Sequence, residues 1–139
     1  MKIIIDTNLW ISFLIGKRLS VLKSLLTNPD LTFFVCDKLL EEIHQTSSKP
    51  KIRRYVDEDD IKDTLVVIDK FCEFAVIQQE AVSPVRDVKD LYLLSLADTV
   101  QADYIITGDR DLLILRAHNQ TAIVTYNDFA NIIDQKNCL

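Results

Sequence analysis

Ala102-Asp103-Tyr104-Ile105-Ile106-Thr107-Gly108-Asp109-Arg110-Asp111-Leu112-Leu113 decides the fold. Its aromatic and β-branched run has no polar alternation, so it predicts a strand buried on both faces. Gly108-Asp109 ends that strand, and Arg110 opens a short helix. The same order occurs at the N-terminus, where Ile3-Ile4-Ile5 stops at Asp6-Thr7-Asn8 and gives way to an apolar segment of helical spacing. It occurs again after the turn signal Asn28-Pro29-Asp30: Leu31 to Val35 leads into Asp37 to Gln45, with Leu39, Leu40 and Ile43 at helical intervals.

Between these units lie a polar stretch, Thr46 to Arg54, and a helix starting near Asp57 with Ile61, Leu65, Ile68 and Cys72 on one stripe. Ala75 to Ile77 reads as a short strand, Asp87 to Val100 as a helix, Ala122 to Thr125 as a strand, and a last helix starts at Asn127. Five strands separated by helices predict an α/β fold of three layers around a parallel sheet. The 139 residues suit one domain, 1–139. In such sheets the functional crevice lies beyond the carboxyl ends of the strands, and Asp6 and Asp109 both stand at such ends.

Composition narrows the function. Hydrophobic residues at 48% and charged residues at 27% exclude disorder. Leu9 to Ile15 is far short of the ~20 residues of a membrane span and lacks a basic leader. Cys36, Cys72 and Cys138 are odd in number and widely spaced, which suits neither a disulfide framework nor a zinc site and implies a reducing, cytoplasmic setting. With Gly16 and Gly108 as the only glycines, a glycine-rich dinucleotide loop is impossible. The formal charge of −5 argues against bulk electrostatic binding of duplex DNA unless the acids are gathered in one place and neutralised there.

Taken singly, the acids have ordinary explanations. Asp6 and Asp109 can be helix caps, Asp87 and Asp90 can favour a helix dipole, and Glu42 can be solvated. Converging on one edge, each ionised pair at ~5 Å would cost roughly 3 kcal/mol at an effective dielectric near 20. Such a cluster requires protons or a cation, and oxygen-only ligands point to Mg²⁺ or Mn²⁺.

Asp6-Thr7-Asn8 after its Ile-rich strand, Leu39-Leu40-Glu41-Glu42-Ile43 followed by Lys49-Pro50-Lys51, Arg86-Asp87-Val88-Lys89-Asp90, and the 102–113 segment together resemble the PIN domain. The prokaryotic branch described as toxin components of toxin–antitoxin pairs is the nearest likeness. The resemblance implies a divalent-metal-dependent ribonuclease with Asp6, Glu42, Asp90 and Asp109 as catalytic metal ligands and Asn8 and Thr107 as accessory polar residues. Asp87 competes with Asp90, although the nineteen-residue step to Asp109 favours Asp90, and Asp111 is a further acid. The family's habit is a hydroxyl residue where this chain has Cys36. Cleavage leaving a 5′-phosphate, an antitoxin partner and a homodimer are further implications of the likeness.

RNA contacts are expected from Lys49, Lys51, Arg53 and Arg54, with Tyr55 available for stacking, and more weakly from Lys17, Arg18, Arg110 and Arg116. His44 and His118 read as surface residues. Two rivals are a PIN scaffold that binds RNA or protein without cutting, and a haloacid-dehalogenase-type phosphatase. The second needs an acid two residues after Asp6, where Asn8 stands, and another four after Asp109, where Leu113 stands.

Overall fold

The computed structural model describes residues 1–78, 80, 81 and 88–137. In chain order the elements are β1 Lys2–Ile5, α1 Thr7–Ile15, α2 Leu19–Leu26, β2 Thr32–Val35, α3 Asp37–Ser47, α4 Pro50–Arg53 and α5 Glu58–Phe71. They continue with β3 Glu73–Phe74, α6 Val88–Val100, β4 Tyr104–Ile106, α7 Arg110–Leu113, β5 Ala117–His118, β6 Thr121–Val124 and α8 Tyr126–Asn137. The strands lie side by side in the order β3-β2-β1-β4-β6-β5. All neighbours pair parallel except β5 with β6, which gives the α/β architecture expected from the alternation of elements.

The centre of the sheet is the most apolar part of the chain. Ile3, Ile4, Ile5, Ile105 and Ile106 are buried, and Leu93, Leu94, Leu96 and Ala97 of α6 are buried with them. Because α6 presents apolar residues nearly all round through this stretch, it is a core helix with no clean polar stripe. Full burial of each Leu or Ile contributes about 1.5–3 kcal/mol relative to exposure, so this layer holds the sheet.

Three details depart from the sequence expectation. The third strand is Glu73–Phe74, not Ala75 to Ile77; only the Ala75 amide prolongs the pairing, donating to the Val35 carbonyl at 2.9 Å. A sixth strand, β5, folds back on β6 through Asn119-Gln120, with Asn119 at φ 53°. Asp98 of α6 holds this hairpin, accepting from Asn119 at 2.9 Å and pairing with His118 at 3.0 Å. His118 is therefore half-buried and structural rather than a surface residue. Finally, the polar stretch is mostly helical: α3 runs to Ser47, and Pro50 starts α4 at a first-turn position where its missing N–H costs nothing.

Candidate functional site

Strand order places a crevice between the carboxyl ends of β1 and β4. From β1 the chain passes to β2 on one side, and it returns later to β4 on the other, so the crossovers diverge there. The pairing register puts Ile5 beside Ile106, and the Asp6 amide donates to the Ile106 carbonyl at 3.0 Å. Asp6 and Thr107 are thus neighbours just past the strand ends.

Asp6 is 4% exposed and precedes α1, yet its side chain makes no capping bond to that helix. Its Oδ2 instead accepts from the Thr107 hydroxyl at 2.7 Å. The same hydroxyl oxygen accepts from the Asp109 amide at 3.0 Å, so one buried threonine positions both acids. Burial pushes the Asp6 pKa above the usual carboxylate range. Thr107 and the Thr7 amide oppose that shift, and the charges of Asp109 and Glu42 add to it. Among the described residues no ion pair involves Asp6, leaving a nearly buried carboxylate without a cation.

Glu42 reaches the crevice from α3, half-buried. Its Oε2 accepts from Tyr92 at 2.8 Å and from Thr7 at 3.1 Å. Tyr92 belongs to α6, two residues beyond Asp90; burial, first of all, keeps its phenol protonated far above the usual range. Asp109, also half-buried, caps α7 by accepting from the Asp111 amide at 2.9 Å. The capping explanation therefore holds for Asp109 and fails for Asp6.

Of the other sequence candidates, Asp111 and Asn8 are exposed, and among the described residues the Asn8 side chain makes no hydrogen bond. Thr7, not Asn8, joins the acids. Asp87 lies outside the described residues, and Asp90 is described for its backbone alone, as part of α6. Lys49, Lys51 and Arg54 are exposed around α4, whereas Arg53 is paired with Glu58 at 2.9 Å. Cys36 stands at the N-cap position of α3 and is buried. Thr7 was legible as part of Asp6-Thr7-Asn8; Tyr92 carried no motif, and only the meeting of its hydroxyl with Thr7 of α1 and Glu42 of α3 reveals it.

A hard divalent cation fits this donor set. The acids offer oxygen alone, Asp6 is desolvated and has no ion-pair partner among the described residues, and a Cβ placed on the exposed Gly108 would meet nothing within 4 Å. Among the described residues, which leave out the Asp90 side chain, no three His, Cys, Asp or Glu side chains come together closely enough to hold a metal ion. An open set of few carboxylates is what Mg²⁺ and Mn²⁺ accept, since they keep several waters. No helix among the described residues is long and apolar enough to cross a membrane.

Comparison with known proteins agrees with this architecture. The chain is 30% identical over 128 residues to an uncharacterized protein of Methanocaldococcus jannaschii, covering 86% of this chain and 78% of that one. Residues 2–111, which include Asp6, Glu42, Asp90, Thr107 and Asp109, match the PIN domain, a family of nuclease-like proteins. The chain belongs to the PIN domain family.

Proposed function

We propose that this protein is a divalent-metal-dependent endoribonuclease that hydrolyses RNA phosphodiester bonds. The observation that carries the reading is Asp6, a carboxylate 4% exposed that neither caps its helix nor meets a cation, and whose charge is disfavoured by burial and by two neighbouring acids. Such a group costs stability unless something compensates it.

Asp6, Glu42, Asp90 and Asp109 would hold Mg²⁺ or Mn²⁺. When bound, the cation supplies Lewis acidity to the scissile phosphate and to the attacking water. The chain supplies position. Thr107 fixes Asp6 through its hydroxyl proton and Asp109 through its hydroxyl oxygen, and Thr7 and Tyr92 fix Glu42. One of the carboxylates takes the proton that the attacking water releases. Lys49, Lys51 and Arg54 are free to meet phosphates. The likeness to the toxin branch supports a place in a toxin–antitoxin pair, with an antitoxin protein as partner, a homodimer as the assembly and the cytoplasm as the setting.

The test is incubation of a mixed RNA pool with Mn²⁺. The wild type is expected to cut, leaving 5′-phosphates, and to stop on chelation, while Asp6→Asn is expected to be inert though folded. Undiminished cutting by Asp6→Asn would remove Asp6 from the chemistry. A non-cutting scaffold is the second reading, favoured by the Asp109 oxygen already given to α7. It predicts RNA retained intact by a wild type saturated with Mn²⁺.

A further inference from the structure

Glu42 does not offer both of its oxygens equally. Oε2 accepts two hydrogen bonds, from the Tyr92 hydroxyl at 2.8 Å and the Thr7 hydroxyl at 3.1 Å. The two hydroxyls are themselves 3.3 Å apart. Each carries a single proton, and with both protons given to Oε2 that last contact is packing rather than a third bond. The three residues come from α1, α3 and α6, so the carboxylate on α3 is held by hydroxyls from two other helices. Oε1 takes part in none of these bonds.

From this geometry we propose that Tyr92 and Thr7 form a clamp that makes Glu42 a one-oxygen ligand and so sets which cation the site prefers. Tyr92 is a positioning residue here: it acts through Glu42. A single oxygen suits the small, octahedral Mg²⁺ and Mn²⁺, whereas Ca²⁺ takes more ligands and readily accepts a carboxylate through both oxygens. Releasing Oε2 would let Glu42 turn and present both. The inference rests on the metal-site reading above.

The experiment is a thermal melt of the full chain titrated with Mn²⁺ and, separately, with Ca²⁺. Tyr92→Phe removes one hydroxyl and keeps the ring. It is expected to raise the Mn²⁺ half-saturation roughly tenfold, the scale on which partners of metal ligands act, and to leave Ca²⁺ unchanged or tighter. Thr7→Ser, which keeps a hydroxyl, should retain the wild-type ratio, and Thr7→Val should shift it as Tyr92→Phe does. If Tyr92→Phe melts too low to titrate, Thr7→Val carries the same expectation. Equal weakening of both ions, or no change in either, would overturn the clamp, because a role in folding alone moves both ions together. Asp6→Asn separates the two failures. If it loses the Mn²⁺ response while Tyr92→Phe keeps the wild-type ratio, the clamp alone is wrong. If Asp6→Asn or the wild type shows that Mn²⁺ does not bind here, the site reading fails and the clamp falls with it.

Discussion

Asp6 and Asp57 show what a residue's neighbours decide. Both stand where a helix begins, and taken singly Asp6 has the ordinary explanation of a cap. Asp57 is one: it accepts from the Asp60 amide at 2.8 Å while the Asp60 carboxylate accepts from the Asp57 amide at 3.1 Å. Asp6 turns away from its helix to Thr107, a residue 101 positions later, and no local pattern could have announced that choice. The consequence is measurable without RNA. Burial raises the native pKa of Asp6, so the native state holds this proton more tightly than the unfolded chain. Stability from the group is complete below the unfolded value, near 4, and is lost as pH rises through the raised native value. Metal-free Asp6→Asn should therefore be more stable than the wild type at pH 7, with the two converging as pH falls towards 4. Thermal melts across that range check it. Mn²⁺ at about a hundred times its Kd should return about 2.7 kcal/mol to the wild type and little to the variant.

At the scale of elements, the central strands and their helices were legible because burial on both faces leaves an unbroken apolar run. Ile3 to Ile5 and Tyr104 to Ile106 are strands as the sequence predicts. The edges were not legible. β3 and β5 have two residues each, too few for a period, and they form because β2 and β6 offer an open side. Helix ends were hidden for another reason: the left-handed residues that follow them are not glycines. Lys17 and Gln101 take left-handed backbone at φ 53° and 56°. The Arg18 amide donates to the Phe13 carbonyl at 3.0 Å beyond α1, and the Ala102 amide to the Ala97 carbonyl at 2.9 Å beyond α6. A side chain in that conformation costs about 1–2 kcal/mol, against about 0.5–1 kcal/mol of extra backbone entropy lost by glycine. Gln101→Gly should thus raise unfolding free energy by roughly 0.5–1 kcal/mol, read from denaturant melts with an unchanged slope. A loss of stability would mean that the Gln101 side chain makes up the difference.

For the whole molecule, the formal charge of −5 gains meaning from topology. Chain reversal around β1 brings Asp6, Glu42 and Asp109, far apart in sequence, to influence one another at a single crevice. The order of motifs made the family legible in the chain, since 102–113 keeps strand, turn and helix intact. The choice between Asp87 and Asp90 was not legible, because both fit one helix start, and their side chains lie outside the described part. Asp109 tests most directly whether the acids serve cleavage or only the fold, because it caps α7 as well as facing the crevice. In Asp109→Asn the side-chain oxygen can still accept from the Asp111 amide, so the metal-free melting temperature should stay within about 2 °C. RNA cleavage in saturating Mn²⁺ should nevertheless fall by more than ~100-fold if the carboxylate holds the cation. Wild-type cleavage by a normally folded Asp109→Asn would contradict the account.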